Sequence, residues 1–282
     1  MPGWGAQLPP HRVLEEIRSL GLRHVEAGPI GYLGAGAASI RGLLDAHGLS
    51  LVGGFLPVVL HDRAQLETTL ASAQAAAALY AAAGGRVLVS ASVVDLDWSP
   101  RIPLDGGDWR TLLEGLERVD EVAADNGLVH VLHPHVGTLV ETADDVARVL
   151  DGSDAKLCLD TGHLTIGGAD PVALARDARD RVGHVHLKDV RSGPAAEVRA
   201  GRLTLLEATR LGLFCPLGDG DAAIYETVRV LEQDAALDEN ALPAPGAGPV
   251  EDTRRSLEFL RAFLAGSDPV GSSRGREVGR TH

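Results

Sequence analysis

Short apolar runs alternate along this chain with segments of helical periodicity, and this alternation restricts the fold more than any other feature. The apolar runs predict seven strands, at 24–28, 49–59, 86–92, 128–133, 155–160, 183–190 and 228–234. Helical patterns flank them at 14–20, 39–47, 64–83, 108–126, 142–150, 171–181 and 252–264. Asp108 is the expected N-cap of the fourth of these helices, 108–126. Alternation of this kind predicts βα units and a parallel sheet.

The series has no linker that would separate two domains. We therefore predict a single (β/α)8 barrel over residues 1–265, followed by a disordered tail at 266–282. Apolar residues make up 45% of the chain and aromatic residues only 4%, which suits helices packed on a sheet through Ala, Val and Leu. A doubly wound open sheet is the alternative, but no glycine-rich phosphate motif follows the first strands.

Two parts of the predicted barrel are short. A (β/α)8 barrel needs eight strands, and no strand is predicted before the first helix, so either the start is misassigned or strand 1 is lacking. Only residues 221–227 lie between Gly220 and the predicted strand at Val228, which leaves a shortened connection to strand 8. The helical pattern at 194–211 is the candidate for the crossover helix instead.

Composition excludes several classes of function. The chain has 26 Lys+Arg against 39 Asp+Glu, and a net charge of −13 argues against a nucleic-acid partner. No run of about 18 apolar residues and no signal-peptide pattern occurs, so we expect a cytoplasmic protein without a membrane partner. The two cysteines, Cys158 and Cys215, stand far apart in apolar settings, so we interpret them as buried thiols rather than as a disulfide or a cysteine zinc site.

Ionisable residues recur where the predicted strands end. In a (β/α)8 barrel the active site is assembled at the carboxyl ends of the strands, and six of the seven predicted strands carry oxygen or imidazole groups there. A mixed set of Asp, Glu and His suits Mn²⁺, Co²⁺, Mg²⁺ or Zn²⁺. Alternation along a strand puts His184, His186 and Lys188 on one face. The strand-end residues are Glu26, His61, Asp62, His133, His135, Asp160, His163, His184, His186, Lys188, Asp189, Glu232 and Asp234.

Two segments together resemble a known family. The run LCLDTGHLTIGGADP, followed by HVHLKDV with His186 lying 26 residues after Asp160, resembles the xylose isomerase-like TIM barrels, which include sugar isomerases, epimerases and the endonuclease IV group. The segments HPHVGTLVET, EAGPIGYLG and VGGFLPVVLHD indicate the branch that contains inosose (2-keto-myo-inositol) dehydratase. The similarity covers about residues 4–264. Relatives usually begin with a strand before the segment that matches PGWG, and this chain has none.

The resemblance implies a divalent-metal site. Its motif positions make Asp160, His186 and Glu232 metal ligands. Many relatives take a fourth ligand from a Glu at the end of strand 5, where this chain has histidines instead. We predict Glu141 as that ligand, with His133 or His135 as its rival.

The resemblance also implies roles for the other residues at the strand ends. His163 and Lys188 would bind substrate oxygens or transfer protons, and His133 is a further candidate for proton transfer. Substrate would also contact His135, and Glu26 and His61 would line the opposite wall.

We therefore predict a metal-dependent lyase or isomerase that acts on a polyhydroxylated ketone or sugar through an enediolate. Mn²⁺ or Co²⁺ is the expected cofactor, with Mg²⁺ or Zn²⁺ as alternatives, and a sugar or cyclitol is the expected partner. The competing hypothesis is a catalytically impaired barrel that binds a sugar-like metabolite or a protein, which the two short regions favour. A homo-oligomer is compatible with such a barrel, but no sequence pattern indicates one. DNA repair by the endonuclease IV route conflicts with the net charge of −13.

Overall fold

A six-stranded parallel sheet forms the centre of the computed structural model, which describes residues 8–232 and 250–264. The strands pair in the order in which they occur along the chain, each with the next. A doubly wound sheet reverses its strand order, so the sequential order excludes that alternative. All six strands were predicted, and they are β1 (His24–Glu26), β2 (Ser50–Val58), β3 (Val87–Ser92), β4 (Val129–Leu132), β5 (Leu157–Asp160) and β6 (Val182–His186).

Helices connect these strands and cover the outer face of the sheet. On the longest of them Leu112, Leu116 and Val119 are buried at spacings of four and three residues, which is the helical period that the sequence shows. No helix among residues 8–232 and 250–264 is both long and apolar enough to cross a membrane. The helices on this side are α1 (Pro10–Ser19), α2 (Ala37–Ala46), α3 (Leu66–Ala82), α4 (Gly106–Asp125), α5 (Ala143–Gly152), α6 (Thr161–Gly167) and α7 (Pro171–Asp177).

Two details of these helices differ from the prediction. Asp108 is not the N-cap of α4, because the chain enters the helix earlier and Asp105 accepts the backbone N–H groups of Gly107 and Asp108. Asp108 instead closes a capping box by accepting the backbone N–H of Asp105. The short helix α6 was not predicted, and it begins directly after Asp160 at the end of β5.

Residues 189–232, which we call the return segment, are built differently. Their strands are β7 (Asp189–Val190) and β8 (Phe214–Cys215), an antiparallel pair separate from the main sheet. The predicted strand at 183–190 is thus divided into β6 and β7, with Lys188 between them. The predicted crossover helix at 194–211 is likewise divided, into α8 (Ser192–Arg199) and α9 (Leu205–Arg210), and it is followed by α10 (Ile224–Glu232). The last helix described is α11 (Val250–Leu264).

The predicted strand at 228–234 is wrong. Residues 224–232 form α10, and residues 233 and 234 lie outside the described part of the chain. Ile224, Val228 and Leu231 are buried at spacings of four and three residues, so the apolar pattern is that of one helix face. Glu232 therefore ends a helix rather than a strand, and its side chain is not described.

The main sheet curls around a small apolar interior. Val89, Val131 and Cys158 are fully buried there, with Phe55 and Val87 packed against them. The described residues before α1 are 8 and 9, so the predicted lack of a first strand is not tested. The fold is that of a (β/α)8 barrel in which parts of the strand ring are missing from the described residues. The predicted tail at 266–282 lies outside those residues.

Candidate active site

A buried carboxylate, that of Asp160, stands at the centre of the polar strand ends. It lies at the junction of β5 and α6, where its Oδ1 accepts the backbone N–H of His163 at 2.9 Å and so caps the helix. Its Oδ2 lies 3.2 Å from Nε2 of His133 and contacts the ammonium group of Lys188. Asp160 is fully buried, so these contacts replace the water that an ionised carboxylate would otherwise need.

Lys188 is held in place by its backbone. Its N–H donates to Oγ1 of Thr161 at 2.9 Å, and the hydroxyl of Thr161 in turn lies 2.8 Å from the carbonyl oxygen of Lys188. These contacts dock the segment between β6 and β7 onto the start of α6. The backbone of Lys188 is therefore fixed at the position from which its ammonium group contacts Asp160. About a quarter of the Lys188 side chain remains exposed.

A second carboxylate, that of Glu26, reaches across the interior from the first strand. Its Oε1 accepts from Nε2 of His184 at 2.8 Å and from Nε2 of His186 at 2.7 Å. Because β1 and β6 are the two edges of the sheet, these bonds join the edges through side chains. Nδ1 of His186 lies 3.6 Å from Oδ2 of Asp160, so the His186 ring stands between the two carboxylates.

Three further imidazoles form one wall of the site. The rings of His135 and His163 have centroids 3.7 Å apart and planes tilted by 35°, and the His133 ring contacts both edge-on at 5.3 Å. Trp98 lies edge-on to His135, with 6.0 Å between ring centroids, and stacks on Phe55. The wall is therefore aromatic on its outer side and offers imidazole nitrogens toward Asp160.

Burial keeps this imidazole wall neutral. It lowers the pKa of His133 to about 3 and that of His135 to about 4. Burial likewise lowers the pKa of His163 well below its usual value, since a charged ring would lose its hydration. Neutral imidazole is the form that binds a metal ion or accepts a proton.

The two carboxylates keep their charge despite burial. Burial alone would raise the pKa of Asp160, but the positive charge of Lys188 and the hydrogen bonds from the histidines hold it well below its usual range. Burial opposes ionisation of Glu26 as well, and the charge of His186 with the two imidazole hydrogen bonds lowers its pKa by more. His186 responds in the opposite sense: burial lowers its pKa, but its contacts with Cys158, Glu26 and Asp160 raise it well above the usual value. The site thus gathers anions that attract a cation.

The structure brings most of the predicted residues together. Among the described residues, three groups have donor atoms that all lie within 4.8 Å of one another. The groups are His133 with Asp160 and His163, Glu26 with His184 and His186, and His133 with Cys158 and His186.

Among the predicted site residues with described side chains, Glu141, His61 and His135 are not in these groups. Oε2 of Glu141 accepts the backbone N–H of Gly137 at 2.9 Å and lies 3.5 Å from the guanidinium of Arg101, so this carboxylate is engaged in its own loop. His61 follows β2 and has a buried Nδ1 without a hydrogen-bond partner among the described residues. The side chain of Glu232 lies outside the described part of the chain.

Sequence reasoning missed two contributors. His184 was given no role in the predicted site, whereas it shares Glu26 with His186. Cys158 was set aside as an inert thiol, whereas it lies among the imidazoles. The signal for both was strand parity, because each lies two residues before a predicted ligand and therefore on the same face.

Comparison with known sequences places the chain in a family. The sequence model described as xylose isomerase-like TIM barrel matches residues 14–263, and the chain belongs to this family. An inosose dehydratase of Geobacillus kaustophilus (strain HTA426) is 32% identical over 232 residues, which are 78% of this chain and 75% of that protein. An inosose dehydratase of Lacticaseibacillus casei is 28% identical over 281 residues, or 94% of this chain and 93% of that protein.

Solved structures share the fold at low sequence identity. The probable 3-DHS dehydratase AsbF of Bacillus anthracis superposes with a TM-score of 0.70 at 15% identity, covering 92% of this chain and 95% of that one. The 3-keto-D-glucoside 4-epimerase YcjR of E. coli gives 0.67 at 18% identity, covering 92% and 97%. An IOLI protein with a bound zinc atom gives 0.67 at 13% identity, covering 93% and 95%.

Proposed function

We propose that this chain is a divalent-metal-dependent lyase or isomerase acting on a polyhydroxylated ketone or sugar, with inosose dehydration as the leading reaction. The observation that carries the proposal is the buried Asp160 carboxylate, which His133, His186 and Lys188 surround. The two inosose dehydratases that match most of this chain support the choice of substrate class.

The residues present fit a divalent cation. Two ionised carboxylates, Glu26 and Asp160, flank His186, and Nδ1 of His133 is buried without a hydrogen-bond partner among the described residues. A buried nitrogen in that state has lost its water without a replacement, which is unfavourable unless a ligand satisfies it. We assign His133, Asp160 and His186 as the residues that would hold the cation. Neither Glu141 nor Glu232 has a described contact with this set.

A bound divalent cation supplies Lewis acidity, which polarises a substrate carbonyl and stabilises the negative charge of the enediolate. The chain's own residues supply the proton transfers. His163 is neutral and buried beside Asp160, so its imidazole can accept the proton from the carbon next to the carbonyl. The ammonium group of Lys188 can bind the departing hydroxyl and give it a proton, and water then leaves.

The same residues are compatible with isomerisation. If the proton that His163 accepts returns to the neighbouring carbon or to the opposite face, the product is an isomer or an epimer rather than a dehydrated ketone. The outcome therefore depends on whether Lys188 faces a leaving hydroxyl, which the substrate decides.

Activity assays with defined variants test the proposal. The purified protein is treated with a chelator and assayed on inososes, ketoses and ketose phosphates with Mn²⁺, Co²⁺, Mg²⁺ or Zn²⁺ added back. We expect turnover to need the cation and to fall by at least about 100-fold in Asp160→Asn and His186→Ala, since loss of a metal-orienting partner alone costs about 10–100-fold. Asp45→Asn and His11→Ala, both at exposed helix positions, are the controls and should retain full turnover.

Binding without turnover is the second candidate function, which the incomplete strand ring of residues 8–232 favours. It predicts that a folded, metal-loaded protein binds a cyclitol or sugar in calorimetry while no product forms. Turnover that is unchanged in both Asp160→Asn and His186→Ala would contradict the assignment of the metal site.

A further inference from the structure

A thiol lies inside the curled sheet directly below the carboxylate cluster. Cys158 is on β5, two residues before Asp160 and on the same face of the strand, and it is fully buried. Its sulfur and one nitrogen each of His133 and His186 lie within 4.8 Å of one another. Both cysteines of the chain are free thiols, so Cys158 is available as a ligand.

The contacts of His133 leave one of its nitrogens bare. Nε2 lies 3.2 Å from Oδ2 of Asp160. A carboxylate oxygen can only accept, so in the neutral ring Nε2 carries the hydrogen and Nδ1 carries a lone pair. Nδ1 is buried and has no hydrogen-bond partner among the described residues.

His186 is arranged in the same way on the other side of the thiol. Its Nε2 lies 2.7 Å from Oε1 of Glu26, so this nitrogen donates, and in the neutral ring Nδ1 carries the lone pair and is buried without a hydrogen-bond partner among the described residues. A carboxylate that holds the far nitrogen of an imidazole is the usual means by which proteins orient a metal-binding histidine. Asp160 and Glu26 therefore each orient one imidazole, and the Cys158 sulfur lies within 4.8 Å of a nitrogen of each ring.

The other two groups of donors are more fully satisfied. Oε1 of Glu26 already accepts from both His184 and His186. Asp160 already accepts from the backbone of His163 and contacts Lys188. The group with Cys158 is the one that contains both His133 and His186, whose Nδ1 atoms are buried without a hydrogen-bond partner among the described residues, whereas each of the other groups contains only one of these two histidines.

We propose that Cys158 is a direct ligand of the divalent cation together with His133 and His186, and that the site consequently selects Zn²⁺ or Co²⁺ over Mn²⁺ and Mg²⁺. The inference rests on the metal dependence proposed above, but it revises the ligand set: Cys158 takes the place of Asp160, which instead orients His133. Thiolate is a soft ligand that suits Zn²⁺, whereas Mg²⁺ and Mn²⁺ suit oxygen ligands. Binding requires the thiolate and a bare Nδ1 on His186, so the protons that these atoms carry leave to solvent.

Cobalt spectroscopy tests the ligand directly. A thiolate bound to Co²⁺ gives an intense sulfur-to-metal charge-transfer band in the near ultraviolet, which nitrogen and oxygen ligands do not give. The chain has only two cysteines, so in Cys215→Ser any such band must come from Cys158. Cys215 lies on β8 outside the three donor groups, which makes this variant the matched control. We expect the band to persist in Cys215→Ser with one Co²⁺ per chain.

Cys158→Ser provides the complementary measurement. We expect it to lose the band and to bind Zn²⁺ at least about 100-fold more weakly, because loss of an outer-shell partner alone costs about 10–100-fold. Its affinity for Mn²⁺ should change much less, so the preference for Zn²⁺ over Mn²⁺ should collapse. The result from Cys215→Ser stands even if Cys158→Ser does not fold.

The failures of the two proposals are distinguishable. Stoichiometric Co²⁺ binding to Cys215→Ser without a charge-transfer band would overturn the sulfur ligand and leave metal dependence intact. Absence of any bound divalent cation in the folded wild-type chain would overturn both.

Discussion

The six-stranded part of the molecule and the return segment, residues 189–232, are stabilised by different kinds of contact. From β1 to β6 each strand hydrogen-bonds to the next along the chain, and helices cover the outer face. In residues 189–232 the described ladder is the two-residue pair of β7 and β8. There a single buried carboxylate, that of Asp189, accepts the backbone N–H groups of Val190, Gly218, Gly220 and Ala222 at 2.8 to 3.0 Å. The six-stranded part is therefore held together by repeated strand pairing, and the return segment by backbone hydrogen bonds to the Asp189 carboxylate.

Removing the Asp189 carboxylate should produce the largest loss of stability. In Asp189→Ala four backbone donors lose their acceptor, and each buried donor left unpaired costs about 1–3 kcal/mol. We expect the free energy of unfolding to fall by at least about 3 kcal/mol in a urea titration.

Asp189→Asn is the informative companion, because its amide oxygen can still accept while its NH₂ group faces backbone donors. It should lose less stability than Asp189→Ala. Hydrogen exchange should rise mainly in residues 189–232 in both variants. A loss below about 1 kcal/mol in Asp189→Ala, which is less than one unpaired donor costs, would show that the carboxylate does not organise the return segment.

A substitution at the contact between β2 and α3 tests the packing of the six-stranded part, and we expect an intermediate loss of stability. A Cβ at Gly54 would lie 2.3 Å from the ring of Tyr80, which is fully buried on α3 and donates to the carbonyl of Phe55 at 3.2 Å. Overpacking of this kind costs about 1–3 kcal/mol, and we expect that loss in Gly54→Ala by thermal or urea unfolding.

Gly42→Ala is the matched control for that substitution. Gly42 lies inside α2 with no atom within 4 Å of the added Cβ, so the same change should raise stability by about 0.5–1 kcal/mol. Equal effects of the two variants would contradict close packing of α3 on β2.

Two equivalent helix caps give the smallest effect and compare the regions most directly. Thr142 caps α5 and Thr204 caps α9, and each forms a capping box with the acidic residue three positions later. Replacing either threonine by alanine should cost about 1 kcal/mol. We expect Thr204→Ala to raise hydrogen exchange in α9 alone and Thr142→Ala to lower the midpoint of global unfolding. Identical exchange patterns would show that the return segment unfolds with the main sheet.

The predictability of the two regions follows from the same difference. Apart from α6, the strand and helix runs from 24 to 186 could be located from the sequence, because strands such as β3 and β5 are buried on both faces and helices such as α4 show one apolar stripe. In the return segment the apolar residues Ile224, Val228 and Leu231 also follow a helical period, but the expectation of an eighth strand led to the wrong assignment. The helical spacing of these residues was therefore a better guide to the structure than the expectation that a barrel has eight strands.

The candidate site divides in a similar way. Position at a strand end identified Asp160, His186 and Lys188, because the carboxyl ends of parallel strands meet at one edge of a sheet. The same rule did not reveal that Arg101 engages Glu141, since an ion pair between separate loops leaves no periodic trace.

The sequence by itself determined the order of the strands, the face that each residue occupies and the polar residues at the strand ends, since these depend on patterns within a few residues. Only the tertiary structure decided which of those residues meet. Glu26 bonds to His184 and His186 across the interior because the sheet curls until its first and sixth strands face each other. Pairing of β5 with β4 and β6 places the Cys158 sulfur within 4.8 Å of a nitrogen of His133 and of His186. Contacts between residues so distant in sequence depend on the curvature of the whole sheet, which no local pattern records.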